Sequence, residues 1–228
     1  MNILRDITFH LCDLDKDIVE MWEFYFADIL NFKFHNKDIF LVDIPDDTLN
    51  AIVSPSNGFG DLQGGIDLVY YKRFGHTLEE RLQQVIIDTK FGELVIGDAL
   101  ILQINKFYSY QFFISAPTMR VPMCINVENN VNVYLAFRAI LIELIRYNSL
   151  VSDQDKIQHV VCPGLGTGIG KISPEICAKQ MYQAYMNIIN PSINLDLVEK
   201  SCEQANMTEI NSYTKNLNLE ASEDDSEN

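Results

Sequence analysis

Basic residues are scarce in this chain: 17 lysines and arginines stand against 32 aspartates and glutamates, a formal net charge of −15 over 228 residues. That balance excludes a broad basic face. It argues against direct nucleic-acid binding, whose non-specific affinity comes from lysines and arginines on phosphates. A small anionic ligand stays possible, because backbone amides hold phosphates without net positive charge. Paired cysteines are also lacking. Cys12, Cys124, Cys162, Cys177 and Cys202 are odd in number with no C-x-x-C spacing, and the four histidines are scattered. The pattern predicts reduced thiols in an intracellular protein, with no zinc site, no other metal and no cofactor. Cys162, beside Pro163, reads either as a nucleophile or as a buried structural thiol. No apolar run approaches a membrane span, so no membrane association is expected. Arg5, Asp6, Asp13 and Asp15 interrupt any leader-like stretch, although export without an N-terminal signal stays open.

Glycine is present where it matters. Residues 52–67 read IVSPSNGFGDLQGGID: an apolar run breaks at Pro55, passes through a loop and meets a helical pattern at Asp67. A strand feeding a glycine-rich loop that opens a helix is a way to cradle phosphate. Residues 162–170, CPGLGTGIG, repeat the design. Asn57 and Asp67 are polar side chains able to act on a ligand placed there. Each also has a local reading, Asn57 as a turn residue and Asp67 as a helix cap.

Along the chain, residues 3–12 alternate as a strand with Ile7, Phe9 and Leu11 on one face. Asp15 or Asp17 caps a helix running to about residue 28. Short strands are predicted at 32–35 and 39–42, with Asp38 at a strand edge, and a fully covered strand at 49–54. Helices follow at 66–73 and from Thr77, where Glu80 completes a capping box. Strands are expected at 99–104, 112–116 and 157–162, and a buried helix at 131–147. Residues 118–130 read as polar and irregular. Ser173 and Pro174 open a last helix that Pro191 ends. Beyond residue 191 the chain loses apolar density and finishes in EASEDDSEN, which predicts a disordered acidic tail at 191–228. The whole is an α/β protein: a three-layer α/β/α sandwich with a mixed, mostly parallel sheet, occupying residues 1–190. Both glycine loops fall at carboxyl ends of strands, where ligands bind in such folds.

The ordered set SPSNGFGDLQGGID, GELVIGDAL, APTMRVP, NVYLAFRA and CPGLGTGIG resembles the macro domain family. The likeness runs over most of residues 3–190. It implies a macro-domain-like fold, ADP-ribose or an ADP-ribosylated protein as partner, and a monomer. Asp38 and Ile39 match the family's adenine contact. Asn57 matches the residue that orients the distal ribose. Gly64, Gly65 and Ile66 match the cradle at one phosphate, and Gly166, Thr167, Gly168, Ile169 and Gly170 the loop that wraps the diphosphate. Asp67 matches the aspartate that helps activate water in the hydrolytic branch. The sequence departs from familiar hydrolases in having Asp61-Leu62-Gln63 before its glycine pair, and Ile169, Lys171 and Ile172 where an aromatic residue packs on the ribose. Phe59 offers an aromatic wall from the first loop instead. The resemblance therefore implies hydrolysis of an ADP-ribosyl linkage by Asp67 and Asn57. The alternatives are a non-catalytic ADP-ribose reader and an ADP-ribose 1″-phosphate phosphatase.

Overall fold

A computed structural model describes residues 3–107, 109–121 and 130–191. Six strands form one sheet: β1 (Thr8–Asp13), β2 (Phe32–Asn36), β3 (Leu49–Ser54), β4 (Leu100–Phe107), β5 (Tyr110–Ser115) and β6 (Ile157–Cys162), in the order β2-β1-β6-β3-β5-β4. The first five in that order pair in parallel, and β4 is antiparallel to β5. Among the described residues five α-helices accompany them: α1 (Lys16–Tyr25), α2 (Gly65–Phe74), α3 (His76–Lys90), α4 (Asn132–Leu150) and α5 (Pro174–Ile189).

The period of two along each strand divides the core. Phe9 and Leu11 of β1, Ala51 and Val53 of β3, and Val160 and Cys162 of β6 pack with α1, α4 and α5. Cys12, Ile52, Phe113 and Val161 face the other way, toward Tyr70, Leu78, Leu82 and Ile86 of α2 and α3. Helices thus cover the sheet on both sides, so the middle of β3, Ala51–Val53, is apolar on both faces, while Asn50 before it is buried on hydrogen bonds to the Pro45 and Ser109 carbonyls. The mixed, mostly parallel three-layer sandwich expected from the sequence is the observed architecture.

Some local expectations gave way. Residues Ile3–Asp6 form a 3-10 turn, and β1 starts only at Thr8. Helix α1 ends at Tyr25, short of residue 28, and Asp15 is its cap, accepting from the amide of Asp17. Residues Ile39–Leu41 are a 3-10 turn, not a strand, because the Asp38 carboxylate accepts from the Phe40 amide and bends the chain. No capping box forms at Thr77. Gly75, with φ of 84°, turns the chain directly into α3. Glu79 faces inward and accepts from the Leu62 amide at 2.9 Å. Part of the irregular 118–130 segment, the acidic tail, Cys124 and Cys202 lie outside the described residues.

Three of the four histidines are scattered only in sequence; His76 stands apart on α3, beside Glu79 and Glu80. The strand order β2-β1-β6 sets His35, His10 and His159 side by side. His10 Nδ1 lies 3.0 Å from His35 Nε2, and His10 Nε2 lies 3.1 Å from His159 Nδ1. The rings form an end-to-end chain and do not converge on one point. Among the described residues no cluster of three or more His, Cys, Asp or Glu could hold a metal ion. Burial, then the neighbouring His35 and His159 and Lys33, lowers the His10 pKa to about 3. The unfolded chain therefore takes a proton at its ordinary 6.5 well before the fold does. This contribution to stability is full above pH 6.5 and declines as the pH falls toward 3, by at most about 1.4 kcal/mol per pH unit. Urea unfolding midpoints measured against pH should fall less steeply across that window in His10→Gln than in the wild type. Equal slopes would show that His10 does not govern the acid limb.

Candidate functional site

The parallel strands β1, β2, β3, β5 and β6 all end on one side of the sheet. Because β6 is inserted between β1 and β3, the loop after β6 and the loop after β3 become neighbours. A cavity of about 310 Å³ lies there. Asp38, Ile39, Asn57, Gly64, Gly65, Ile66, Asp67, Gly166, Thr167, Gly168, Ile169 and Gly170 all line it. Phe59 does not: its ring is 38% exposed, with the Arg120 guanidinium 5.5 Å from its centroid.

The first loop is braced from three directions. The Asn57 amide serves the loop itself: Oδ1 accepts from the amides of Phe59 (3.0 Å) and Asp61 (3.3 Å), and Nδ2 donates to the Asp61 carbonyl (2.7 Å). Asn57 is therefore a loop brace that also lines the cavity. The Gly58 amide donates to the Arg120 carbonyl, and the Leu94 amide to the Gly58 carbonyl. A Cβ on Gly58 would stand 3.0 Å from Leu94 O and 3.1 Å from Arg120 O, so only glycine fits between these strips of backbone. Arg120 grips Glu93 with two hydrogen bonds of 2.7 and 2.9 Å. Asn132 Nδ2 donates to the Thr118 carbonyl. The GELVIGDAL, APTMRVP and NVYLAFRA segments thus frame the first loop.

The second loop is tied to β1. Asp13 Oδ2 accepts from the Gly164 amide at 3.0 Å. A Cβ on Gly64 would stand 2.8 Å from Ile169 Cδ1, so the two glycine loops touch. The amides of Gly65 and Ile66, in the first turn of α2, and those of residues 166–170 donate to no protein acceptor among the described residues. Such open amides at a helix start and in a glycine loop suit an anion.

Asp67 occupies the third position of α2, and it does not cap that helix. Gly64 is the cap residue, with no side-chain cap bond. The Asp67 side chain turns down toward the sheet, where its Oδ1 accepts from the Ser54 hydroxyl at 2.5 Å. Asp67 is 8% exposed. Burial pushes its carboxyl up to about 7, with Asp61 adding repulsion and the Ser54 hydrogen bond opposing both. Oδ2 makes no hydrogen bond among the described residues. The group therefore exchanges its proton near neutrality beside a cavity, as a general base does.

At the other end, Asp38 Oδ1 accepts from the Phe40 amide, and Oδ2 lies 4.0 Å from Arg73. Ile39 is buried and its carbonyl accepts from the Tyr110 hydroxyl. Cys12 donates to the Lys37 carbonyl and pins this segment to the end of β1. Cys162 is wholly buried and points toward the Pro163 carbonyl; desolvation raises its pKa far above the thiol range, which suits a structural thiol and not a nucleophile. The roles of Cys12, Asp13, Ser54 and Thr118, and the place of Met119 in the cavity lining, were not anticipated. Thr118 and Met119 belong to a segment singled out for its likeness. Ser54 ends its strand and opens the first likeness segment, and Asp13 follows the predicted first strand directly.

The family model for the Macro-like domain matches residues 31–200. A protein of Aquifex aeolicus (strain VF5) described as uncharacterized is 28% identical over 134 residues, covering 59% of this chain and 71% of its own length. Among solved structures, the macrodomain of Mycobacterium tuberculosis DarG is 21% identical with a TM-score of 0.49, over 67% of this chain and 88% of that one. A mutant macrodomain of Oceanobacillus iheyensis with ADPR is 20% identical with a TM-score of 0.49, over 64% of this chain and 73% of that one. Thermosipho africanus DarTG in complex with ADP-ribose is 15% identical with a TM-score of 0.49, over 66% of this chain and 37% of that one. No helix among the described residues is long and apolar enough to cross a membrane.

Proposed function

Because the chain belongs to the macro-like domain family, we propose that its cavity binds ADP-ribose and that the protein hydrolyses an ADP-ribosyl linkage on a modified macromolecule. The observation that carries the binding half is the meeting of two glycine loops whose cavity-lining amides have no protein acceptor. In this reading residues 64–66 and 166–170 hold the diphosphate. Adenine lies toward Asp38 and Ile39, and the distal ribose toward Asn57 and Asp67. For turnover, Asp67 takes a proton from water while the water oxygen bonds to the anomeric carbon. The bond to the acceptor breaks, and its electron pair leaves with the acceptor, which takes up a proton. The supporting observation is the carboxyl group buried against the cavity with one oxygen held and the other unengaged.

The phosphatase alternative is less well supported. Asp61 and Asp67 both line that end of the cavity, and the cationic side chain in the lining, Lys37, follows β2 beside Asp38. A terminal phosphate dianion would face two carboxylates. The reader alternative has one specific observation in its favour: the Asn57 amide oxygen is already taken by its own loop.

Calorimetry should show ADP-ribose binding well and AMP markedly less. No heat with millimolar ADP-ribose would end the binding proposal. Mass spectrometry of ADP-ribose freed from mono-ADP-ribosylated protein carrying acidic, serine or arginine linkages tests turnover. Binding without release from any of them leaves the reader. Phosphate release from ADP-ribose 1″-phosphate would restore the phosphatase. Asp38→Ala should weaken ADP-ribose binding by about 1.5–3 kcal/mol, the range for a hydrogen bond to a charged group. Unchanged calorimetric affinity would remove Asp38 from the adenine site.

A further inference from the structure

We infer that Ser54 is a positioning residue: its hydroxyl, at the end of β3, holds Asp67 Oδ1 in the form that accepts a proton and leaves Oδ2 to the cavity. Strand parity puts it there. Ile52 faces α2 and α3, and Ser54, two residues on, shares that face and lies beneath the first turn of α2. The Oγ–Oδ1 distance is 2.5 Å, and Ser54 is fully buried. This is the one hydrogen bond the Asp67 side chain makes among the described residues. A hydroxyl has a single proton to donate, and a donor at Oδ1 favours the carboxylate over the acid.

The neighbouring hydroxyls among the described residues have other partners. The Tyr70 hydroxyl, one turn further along α2, is committed to the Val53 carbonyl. The Ser56 and Ser115 hydroxyls bond to each other at 2.6 Å. Asp61, from the first loop, is the charged group facing Asp67, and it repels the carboxylate. The open amides at the start of α2 favour negative charge from the remaining side. Ser54 is therefore the one side-chain donor among the described residues that balances burial and Asp61. Its backbone is itself fixed, since its carbonyl accepts from the Ala116 amide at 3.1 Å.

The inference rests on the reading of Asp67 as the group that activates water, but its decisive measurement needs no turnover. The Asp67 carboxyl resonance is followed against pH in protein labelled with ¹³C at aspartate, and is identified by its loss in Asp67→Asn. Ser54→Ala should move the titration midpoint up by about one to two pH units, the span of a charged hydrogen bond. Ser54→Cys, which keeps a side chain but donates weakly, should also move it up. Ser115→Ala should leave it in place. If the wild type releases ADP-ribose, Ser54→Ala should lower kcat and shift the pH–rate profile upward, with KM nearly unchanged. A midpoint unmoved in both Ser54 variants overturns the inference. A wild type that titrates as expected yet releases no ADP-ribose fails the hydrolase reading and leaves the role of Ser54 decided by the titration.

Discussion

Asp67→Ala should keep ADP-ribose affinity within a few-fold of wild type while slowing release of ADP-ribose from modified protein by roughly 10²–10⁴, the span of a general acid–base group. The separation follows from the site. The diphosphate is assigned to backbone amides, which the substitution leaves alone, whereas a water-activating carboxylate acts chiefly in the transition state. Calorimetry and mass spectrometry on one protein preparation read both quantities. Turnover equal to wild type would strip Asp67 of its role. Asn57→Ala should behave differently. The Asn57 amide ties Phe59 and Asp61 into the loop, so its loss should lower binding and turnover together.

The isostere Asp67→Asn exposes what this group does to the fold. Its carboxyl is raised from 3.8 to about 7 by burial, so the folded state holds the proton after the unfolded chain has lost it. Below pH 4 both states are protonated and no penalty exists. Between pH 4 and 7 the penalty grows by up to about 1.36 kcal/mol per pH unit, and above pH 7 it levels off at about 4 kcal/mol. Asp67→Asn should therefore match the wild type near pH 4 and unfold at higher urea near pH 9. Identical denaturation curves at both pH values would contradict the burial of this charge.

Gly168→Glu should abolish ADP-ribose binding in a folded protein. A Cβ on Gly168 meets nothing within 4 Å, so the loop accommodates a side chain without rearranging. The added carboxylate stands among the amides of residues 166–170. One unit charge 4 Å from a like charge costs about 4 kcal/mol at an effective dielectric of 20, about a thousandfold in affinity. Gly168→Ala is the control and should bind within a few-fold of wild type. Gly170→Ala should not, because its Cβ would collide with the Gly166 carbonyl and force the loop open. A folded Gly168→Glu that binds normally would remove the second loop from the phosphate site.

Much of the scaffold was legible because its signals are local. The strands Leu49–Ser54 and Ile157–Cys162 and the helix Pro174–Ile189 have the ends the sequence predicted. Their limits are set by β-branched runs, glycine loops, a serine cap and flanking prolines, all within a few residues. The misplaced elements were also local, but there two local signals competed. At residues 39–41 the apolar run suggested a strand, and the Asp38 side chain bonding two residues ahead made a turn. At Thr77 a capping box was available, and a glycine with positive φ pre-empted it.

By itself the sequence determined the two glycine loops, the strand and helix that flank each, and the placement of Asp67 at the start of a helix, because these depend on backbone freedom and short-range periodicity. Only the tertiary structure decided what the polar side chains do. Asp67 could have capped its own helix; it bonds Ser54 instead, because sheet parity turns that hydroxyl toward α2. Asn57 turned inward to brace its loop, and Phe59 turned away from the cavity. Three of the four histidines became a chain because β1 lies between β2 and β6. The Asp67 bond depends on how α2 packs on β3, and the histidine chain on which strand lies next to which; both packings bury the two faces of the sheet at once, a requirement no short stretch of residues carries.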